Sequence, residues 1–225
     1  MGGKAFISHI PNATFPRLSP LIYASLKSTL LPRLTPLFQY VGVPHEAPEK
    51  EDHGDVDFIV ACPLTTAIGH EEIKHALGAS ACKPSPQPDR RGTHHFALRL
   101  SDVVTTLPTD AIPVSEETSD VYVQIDVNIR TDAHDWENVM IFHSYGDLGM
   151  IMGRLAASIG LHLGELGLKV SRSYLVTLRS GPTSLCPDGI SSTRANILSY
   201  FPAVNLDTGY TSLLRTLSGT MESRI

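Results

Sequence analysis

The residues best suited to chemistry are Asp55 and Asp57, which alternate with apolar residues at the start of a β-branched and aromatic run. Successive side chains of a β-strand point to opposite faces, so both carboxylates would lie on one face, with their α-carbons about 6–7 Å apart. Carboxylates held this close repel each other, and hard cations such as Mg²⁺ bind to such oxygen ligands. The pair therefore indicates a metal site or, more simply, two acids that face solvent at the start of a strand.

A third carboxylate, Asp126, lies in the middle of another predicted strand, Tyr122–Ile129. Polar and apolar residues alternate along this strand, so Asp126 shares a face with Gln124 and Asn128. If the strand pairs beside the one that carries the first two acids, three carboxylates converge and would bind one or two Mg²⁺ or Mn²⁺ ions. The alternative is that Asp126 lies on the solvated face of an edge strand.

Several elements must position these acids, and hydrophobic periodicity together with glycine and proline positions predicts them. The predicted helices are Pro20–Leu30, then His70–Leu77, and one from about Asp147 to Leu163; Pro32 and Pro36 would end or kink the first of them near Leu30. The predicted strands are Phe38–Val43, Asp55–Ala61, His94–Leu100 and Tyr122–Ile129. His94 and His95 would point to opposite faces of their strand, so they cannot hold one ion together.

This order of elements predicts an α+β fold with a mixed β-sheet and flanking helices in residues 20–135. Residues 1–19 are rich in proline, serine and asparagine and are expected to form a flexible arm. Residues 136–225 are expected to form a small helical C-terminal part.

The composition narrows the class of protein. The chain has 225 residues, 42% of them hydrophobic, and a net charge of −5, which is typical of a soluble protein with a core and does not indicate non-specific nucleic-acid binding. Its three cysteines lack CxxC spacing, so neither a zinc site nor a disulfide framework is expected. No apolar run is long enough to cross a membrane and no signal peptide is visible, so we expect a cytoplasmic or nuclear protein without a membrane partner.

The order of these motifs resembles the DNA-polymerase-β-type nucleotidyltransferase superfamily. Its signature is a Gly-Gly or Gly-Ser turn, then Asp-x-Asp, then a later acid alone on a strand. Gly42 corresponds to the turn, Asp55 and Asp57 to the paired acids, and Asp126 to the third. The segment Phe142–Leu168 is also similar to a helical segment of fungal and viral nucleotidyltransferase-like proteins, so the resemblance covers about residues 38 to 168.

The resemblance implies a nucleotidyltransferase-like core that transfers a nucleoside monophosphate from an NTP to a hydroxyl acceptor, RNA being one candidate. It implies that Asp55, Asp57 and Asp126 are the catalytic residues and the ligands of Mg²⁺ or Mn²⁺. Gly42 would contact the nucleotide, and we add Lys50 and Tyr145 as nucleotide-binding candidates. Lys50 lies between the glycine and the acids, and Tyr145 precedes a predicted helix N-terminus, where anions are favoured.

The chain departs from the family pattern directly after Gly42, where Val43 and Pro44 follow. Proline has no N–H, so Pro44 cannot donate a backbone hydrogen bond to a phosphate. This departure favours an alternative, namely a non-catalytic regulatory or interaction domain that retains the fold. A metal-dependent phosphoesterase, in which water replaces the acceptor hydroxyl, is a third possibility.

Overall fold

A computed structural model describes residues 5–66, 68–85, 92–104, 120–146, 148–158, 161–165 and 167–170. In chain order the elements are α1 (Pro20–Leu34), β1 (Phe38–Gly42), β2 (Val56–Pro63), α2 (His70–Leu77), β3 (Ala81–Lys83), β4 (Gly92–Arg99), a 3₁₀ turn (Leu100–Asp102), β5 (Tyr122–Arg130), α3 (Ala133–His143), α4 (Leu148–Ser158), β6 (Leu161–Gly164) and β7 (Gly167–Val170). The prediction of an α+β fold with a mixed sheet is confirmed. Within the described ranges, no helix combines the length and apolar character needed to cross a membrane.

Five strands form the main sheet, in the order β1-β2-β5-β4-β3. Strands β2 and β5 are parallel neighbours, whereas the other three pairs are antiparallel. Strand β5 is therefore the central strand, so the alternative that placed Asp126 on an edge strand is wrong. That alternative failed because strand order depends on long-range pairing, which residue alternation along one strand does not report.

Helices α1 and α2 cover one face of this sheet, where the main hydrophobic core lies. The strands contribute alternate residues to this core, as the two-residue period of a strand requires. The fully buried members include Phe58, Val60, Phe96, Leu98, Ile125 and Val127 from the strands and Leu26, Leu30, Ile73 and Leu77 from the helices. The intervening residues, among them Asp57 and Asp126, consequently point to the opposite face.

The N-terminal segment packs on part of that opposite face. Phe6 is buried beside Ala97 and Tyr122, and Phe15 packs against this small cluster. Thr14 pairs with Val121 in an isolated parallel bridge, and its backbone exchanges hydrogen bonds with Asp120 and Tyr122. Described residues of the segment predicted to be a flexible arm thus contribute apolar contacts to the sheet.

Helix α1 continues to Leu34 with Pro32 inside it, so of the two predicted effects of the prolines, an end or a kink near Leu30, the end is wrong. Pro32 removes one backbone hydrogen bond from the last turn, but burial of Leu30 and Leu34 outweighs this loss. At the other end Ser19 is the N-cap, and its Oγ accepts a hydrogen bond from the Ile22 amide at 3.4 Å.

Helix α2 and strand β1 lie close to their predicted bounds, and Gly78 caps α2 in a left-handed conformation. Helix α4 ends at Ser158 rather than near Leu163, and Leu161–Gly164 is strand β6 instead. The predicted helix start at Asp147 lies outside the described residues, as does everything after Val170.

The described residues fall into two compact units, one within residues 1–43 and 50–136 and the other within 44–49 and 137–225. The first contains the five-stranded sheet with α1 and α2. The second contains most of α3, all of α4 and the antiparallel hairpin β6–β7.

Gly149 allows a close approach inside the second unit. A Cβ atom at this position would lie 2.1 Å from the carbonyl oxygen of Phe142, a contact that real Cβ atoms do not make. We expect Gly149→Ala to destabilise this unit by about 1–3 kcal/mol, because the backbone itself must shift. Urea unfolding would measure the change, with Met150→Ala, an exposed residue of the same helix, as the control. Equal stability of Gly149→Ala and the wild type would contradict this packing.

Candidate functional site

Four residues with ionisable side chains form one row across the sheet, on the face opposite α1 and α2. Asp57 of β2 pairs with Asp126 of β5, Asp126 pairs with His95 of β4, and His95 pairs with Lys83 of β3. Paired residues of neighbouring strands lie about 5 Å apart and point to the same side. The sheet therefore presents two carboxylates, an imidazole and an ammonium side by side.

Asp126 is the buried member of the row, with 8% of its surface exposed. Its Oδ1 accepts two hydrogen bonds, one from Gln124 Nε2 and one from His95 Nδ1, each 2.8 Å long. No described residue donates to Oδ2. The carboxylate is thus held at one oxygen while the other is left for a further ligand.

His95 carries positive charge more readily than an ordinary histidine. Its hydrogen bond to Asp126, together with the negative charge of that carboxylate, raises the pKa of His95, and Asp55 adds a smaller increase. Partial burial and the positive charge of Lys83 act in the opposite direction. A cationic His95 partly neutralises the neighbouring acids and so permits two carboxylates to lie together at the centre of the sheet.

Asp55 and Gly42 lie at the same end of β2 as this row. Asp55 comes immediately before β2, and its charge acts on His95 across the sheet. Gly42 is the last residue of β1 and pairs with Ile59, two residues along from Asp57. Gly42, which the resemblance assigns to the nucleotide-binding turn, therefore lies beside the end of β2 that carries Asp55 and Asp57.

The other two nucleotide-binding candidates lie elsewhere in the chain. Lys50 is exposed in the connection between β1 and β2 and lowers the pKa of Asp52, although the hydrogen bond from Arg17 is the main cause of that shift. Tyr145 belongs to the second unit, where its amide donates to the His45 carbonyl at 2.6 Å and its ring stacks on the His45 ring.

An ion pair fixes the chain where it leaves β5. Arg130 donates from Nε and Nη2 to the two carboxylate oxygens of Asp135, at 3.1 and 2.9 Å, and both side chains are largely buried. Trp136 follows on α3, and its indole N–H donates to the Ile59 carbonyl of β2 at 2.8 Å. These contacts connect the start of α3 to the two strands that carry Asp57 and Asp126.

The described residues contain no group of three or more histidine, cysteine, aspartate or glutamate side chains arranged to hold a metal ion. Mg²⁺, however, is usually bound by one or two carboxylates, with water and substrate phosphates completing its coordination. Two adjacent carboxylates, one with an oxygen not used for hydrogen bonding, fit such a cation. Asp57 and Asp126 are the residues that would hold it, and Asp55, immediately before β2, is a further candidate carboxylate.

Sequence reasoning did not single out Gln124 or His95 as parts of the site. Gln124 could have been found, because it lies two residues before Asp126 and so shares its strand face. His95 carried no such signal, because its position beside Asp126 depends on the register between β4 and β5. The comparison of this chain with models of protein families and with curated proteins finds no match.

Proposed function

We propose that this protein is a metal-dependent nucleotidyltransferase, which transfers a nucleoside monophosphate from an NTP to a hydroxyl acceptor. The observation that carries the proposal is the pairing of Asp57 with Asp126 on two parallel central strands. This pairing brings together two acids that are far apart in sequence, on the sheet face opposite the main hydrophobic core. Lys83 at the end of the same row adds a positive charge that suits phosphate groups.

Each acid has a distinct part in this reaction. Asp57 and Asp126 would hold the divalent cation, which would neutralise phosphate charge and make the acceptor hydroxyl more acidic. The acceptor oxygen forms a bond to the α-phosphorus while the bond to the bridging oxygen breaks, and pyrophosphate leaves. Asp126 is also the candidate to activate the acceptor hydroxyl, either by accepting its proton directly or through the cation it would hold, in which case the proton leaves to solvent.

Metal and nucleotide binding test this function. We expect the 225-residue chain to bind Mn²⁺ in an electron paramagnetic resonance titration, and added NTP to tighten that binding. With α-labelled NTP and an RNA oligonucleotide as acceptor, we expect labelled RNA and pyrophosphate rather than free phosphate. Glu71→Gln removes one negative charge from an exposed position on α2, as a control for variants that remove one carboxylate of the row. It should bind Mn²⁺ and transfer the nucleotide like the wild type.

The two rival functions predict different results in the same assays. Release of free phosphate would indicate a phosphoesterase. No metal-dependent NTP binding would support the second candidate, a non-catalytic domain, which is favoured by Pro44 and its missing backbone donor after β1.

A further inference from the structure

We propose that Gln124 is a positioning residue for Asp126, and that the backbone of Ala5 holds Gln124 in its working orientation. The inference rests on the proposed function, since it concerns how Asp126 is prepared to bind a cation. It assigns to the N-terminal segment a part in the site, in addition to its apolar packing on the sheet.

The geometry is a chain of two hydrogen bonds. The Ala5 amide donates to Gln124 Oε1 at 2.9 Å, and Gln124 Nε2 donates to Asp126 Oδ1 at 2.8 Å. Only 4% of the Gln124 surface is exposed, so water contributes little to its hydrogen bonding. The side chain is committed to these two partners.

Ala5 determines which end of the Gln124 amide faces Asp126. A backbone N–H can only donate, so it must meet the amide oxygen rather than the NH₂ group. The NH₂ group is then directed to the carboxylate, which can only accept when ionised. If the amide were reversed, Ala5 would face a donor and Asp126 would face an oxygen, and both contacts would be repulsive.

This arrangement favours cation binding at the second oxygen of Asp126. Gln124 and His95 both donate to Oδ1, so together they fix the plane of the carboxylate and leave Oδ2 directed elsewhere. Side chains that orient a ligating group in this way typically change metal affinity by about 10- to 100-fold when they are removed.

The N-terminal segment is anchored well enough to hold the amide. Phe6, the residue after Ala5, is 1% exposed, and its ring stacks on Phe15 with centroids 6.3 Å apart. Phe15 in turn lies against Tyr122, which is on the same strand face as Gln124. The Ala5 amide is therefore placed by apolar packing next to the site.

Mn²⁺ affinity of the variant Gln124→Met tests the positioning role. Methionine has a similar length but cannot donate to Asp126, so we expect Mn²⁺ to bind about ten-fold more weakly, or weaker still. Ser19→Ala, which removes the N-cap of α1, lowers thermal stability without touching Asp126 and should retain wild-type Mn²⁺ affinity. Folding of each variant is checked by circular dichroism. Unchanged affinity of folded Gln124→Met would overturn the proposal, whereas absence of Mn²⁺ binding by the wild type would overturn the proposed function itself.

A double-mutant cycle tests the part assigned to Ala5. Ala5→Pro removes the N–H donor, so it should weaken Mn²⁺ binding in the wild type but have no further effect in Gln124→Met. An equal effect in both backgrounds, or no effect in either, would overturn the route from Ala5 through Gln124.

Discussion

Asp135→Ala is expected to destabilise the protein by about 3 kcal/mol or more, because it leaves the Arg130 guanidinium buried without its carboxylate. The two charged groups form a bidentate pair, and Thr131 donates to the same carboxylate from its amide and its hydroxyl. Arg130 is 12% exposed, so water cannot replace the lost partner. The free energy of unfolding in urea measures this loss.

The size of this loss should depend on pH. Burial opposes ionisation of Asp135, but the hydrogen bonds and charge of Arg130 and the Thr131 donors outweigh it and lower the pKa of Asp135. A lowered pKa contributes stability that is present above the unfolded-state value, near pH 4, and is lost as the pH falls through the folded-state value. The difference between wild type and Asp135→Ala should therefore be complete near pH 7 and shrink as the pH falls below the unfolded-state pKa of Asp135.

An exposed pair of the same composition is the matched control. Arg99 and Asp120 also form a 2.9 Å ion pair, but about half of each side chain is exposed. Exposed ion pairs contribute little to stability, so Asp120→Ala should leave the unfolding free energy almost unchanged. If Asp120→Ala and Asp135→Ala cost the same, burial is not the reason for the effect.

Asp126→Asn is expected to reduce nucleotidyl transfer on the order of 10²- to 10⁴-fold, the usual loss when a catalytic acid or base is removed. The asparagine retains the shape of the side chain and an oxygen that can accept from Gln124 and His95. The fold should therefore persist while the negative charge at the site disappears. Pyrophosphate release with Mg²⁺ and with Mn²⁺ measures the rate.

Asp57→Asn separates loss of function from loss of structure. Asp57 is exposed and lies beside Asp126, so its removal relieves repulsion between two carboxylates. In the absence of metal, the variant should be at least as stable as the wild type, yet its transfer rate and Mn²⁺ affinity should fall. A variant that keeps the wild-type transfer rate would show that the negative charge of Asp57 has no part in the reaction.

Local sequence patterns predicted much of this fold. Alternation located β2 and β5, and the apolar periodicity between His70 and Gly78 located α2. Strand β3 was missed because its three residues, Ala81–Lys83, are too few to show a period. The length of α1 was underestimated because tertiary burial of Leu34 outweighs the local effect of Pro32.

Of the residues that make up the candidate site, the sequence predicted only the acids. Asp57 lies at the start of a strand in which the acids alternate with apolar residues, and Asp126 lies on a polar strand face, both of which the sequence shows directly. Their alignment with each other and with His95 depends on strand order and register, which arise from packing of the whole sheet. Gln124 acquires its orientation from Ala5, more than a hundred residues away, and no local pattern reports such a contact.

The parallel pairing of β2 with β5 also has a consequence for folding kinetics. Neighbouring strands joined by a hairpin can pair early, but these two strands are separated by α2, β3 and β4, so their pairing closes a long loop. Contacts of such high contact order form slowly, and until then the apolar run Val56–Ala61 lacks its central partner. During synthesis, Asp57 is made well before Asp126, so the two acids can come together only after the chain has extended past β5. We therefore expect nascent chains that end before β5 to aggregate more readily than the full chain.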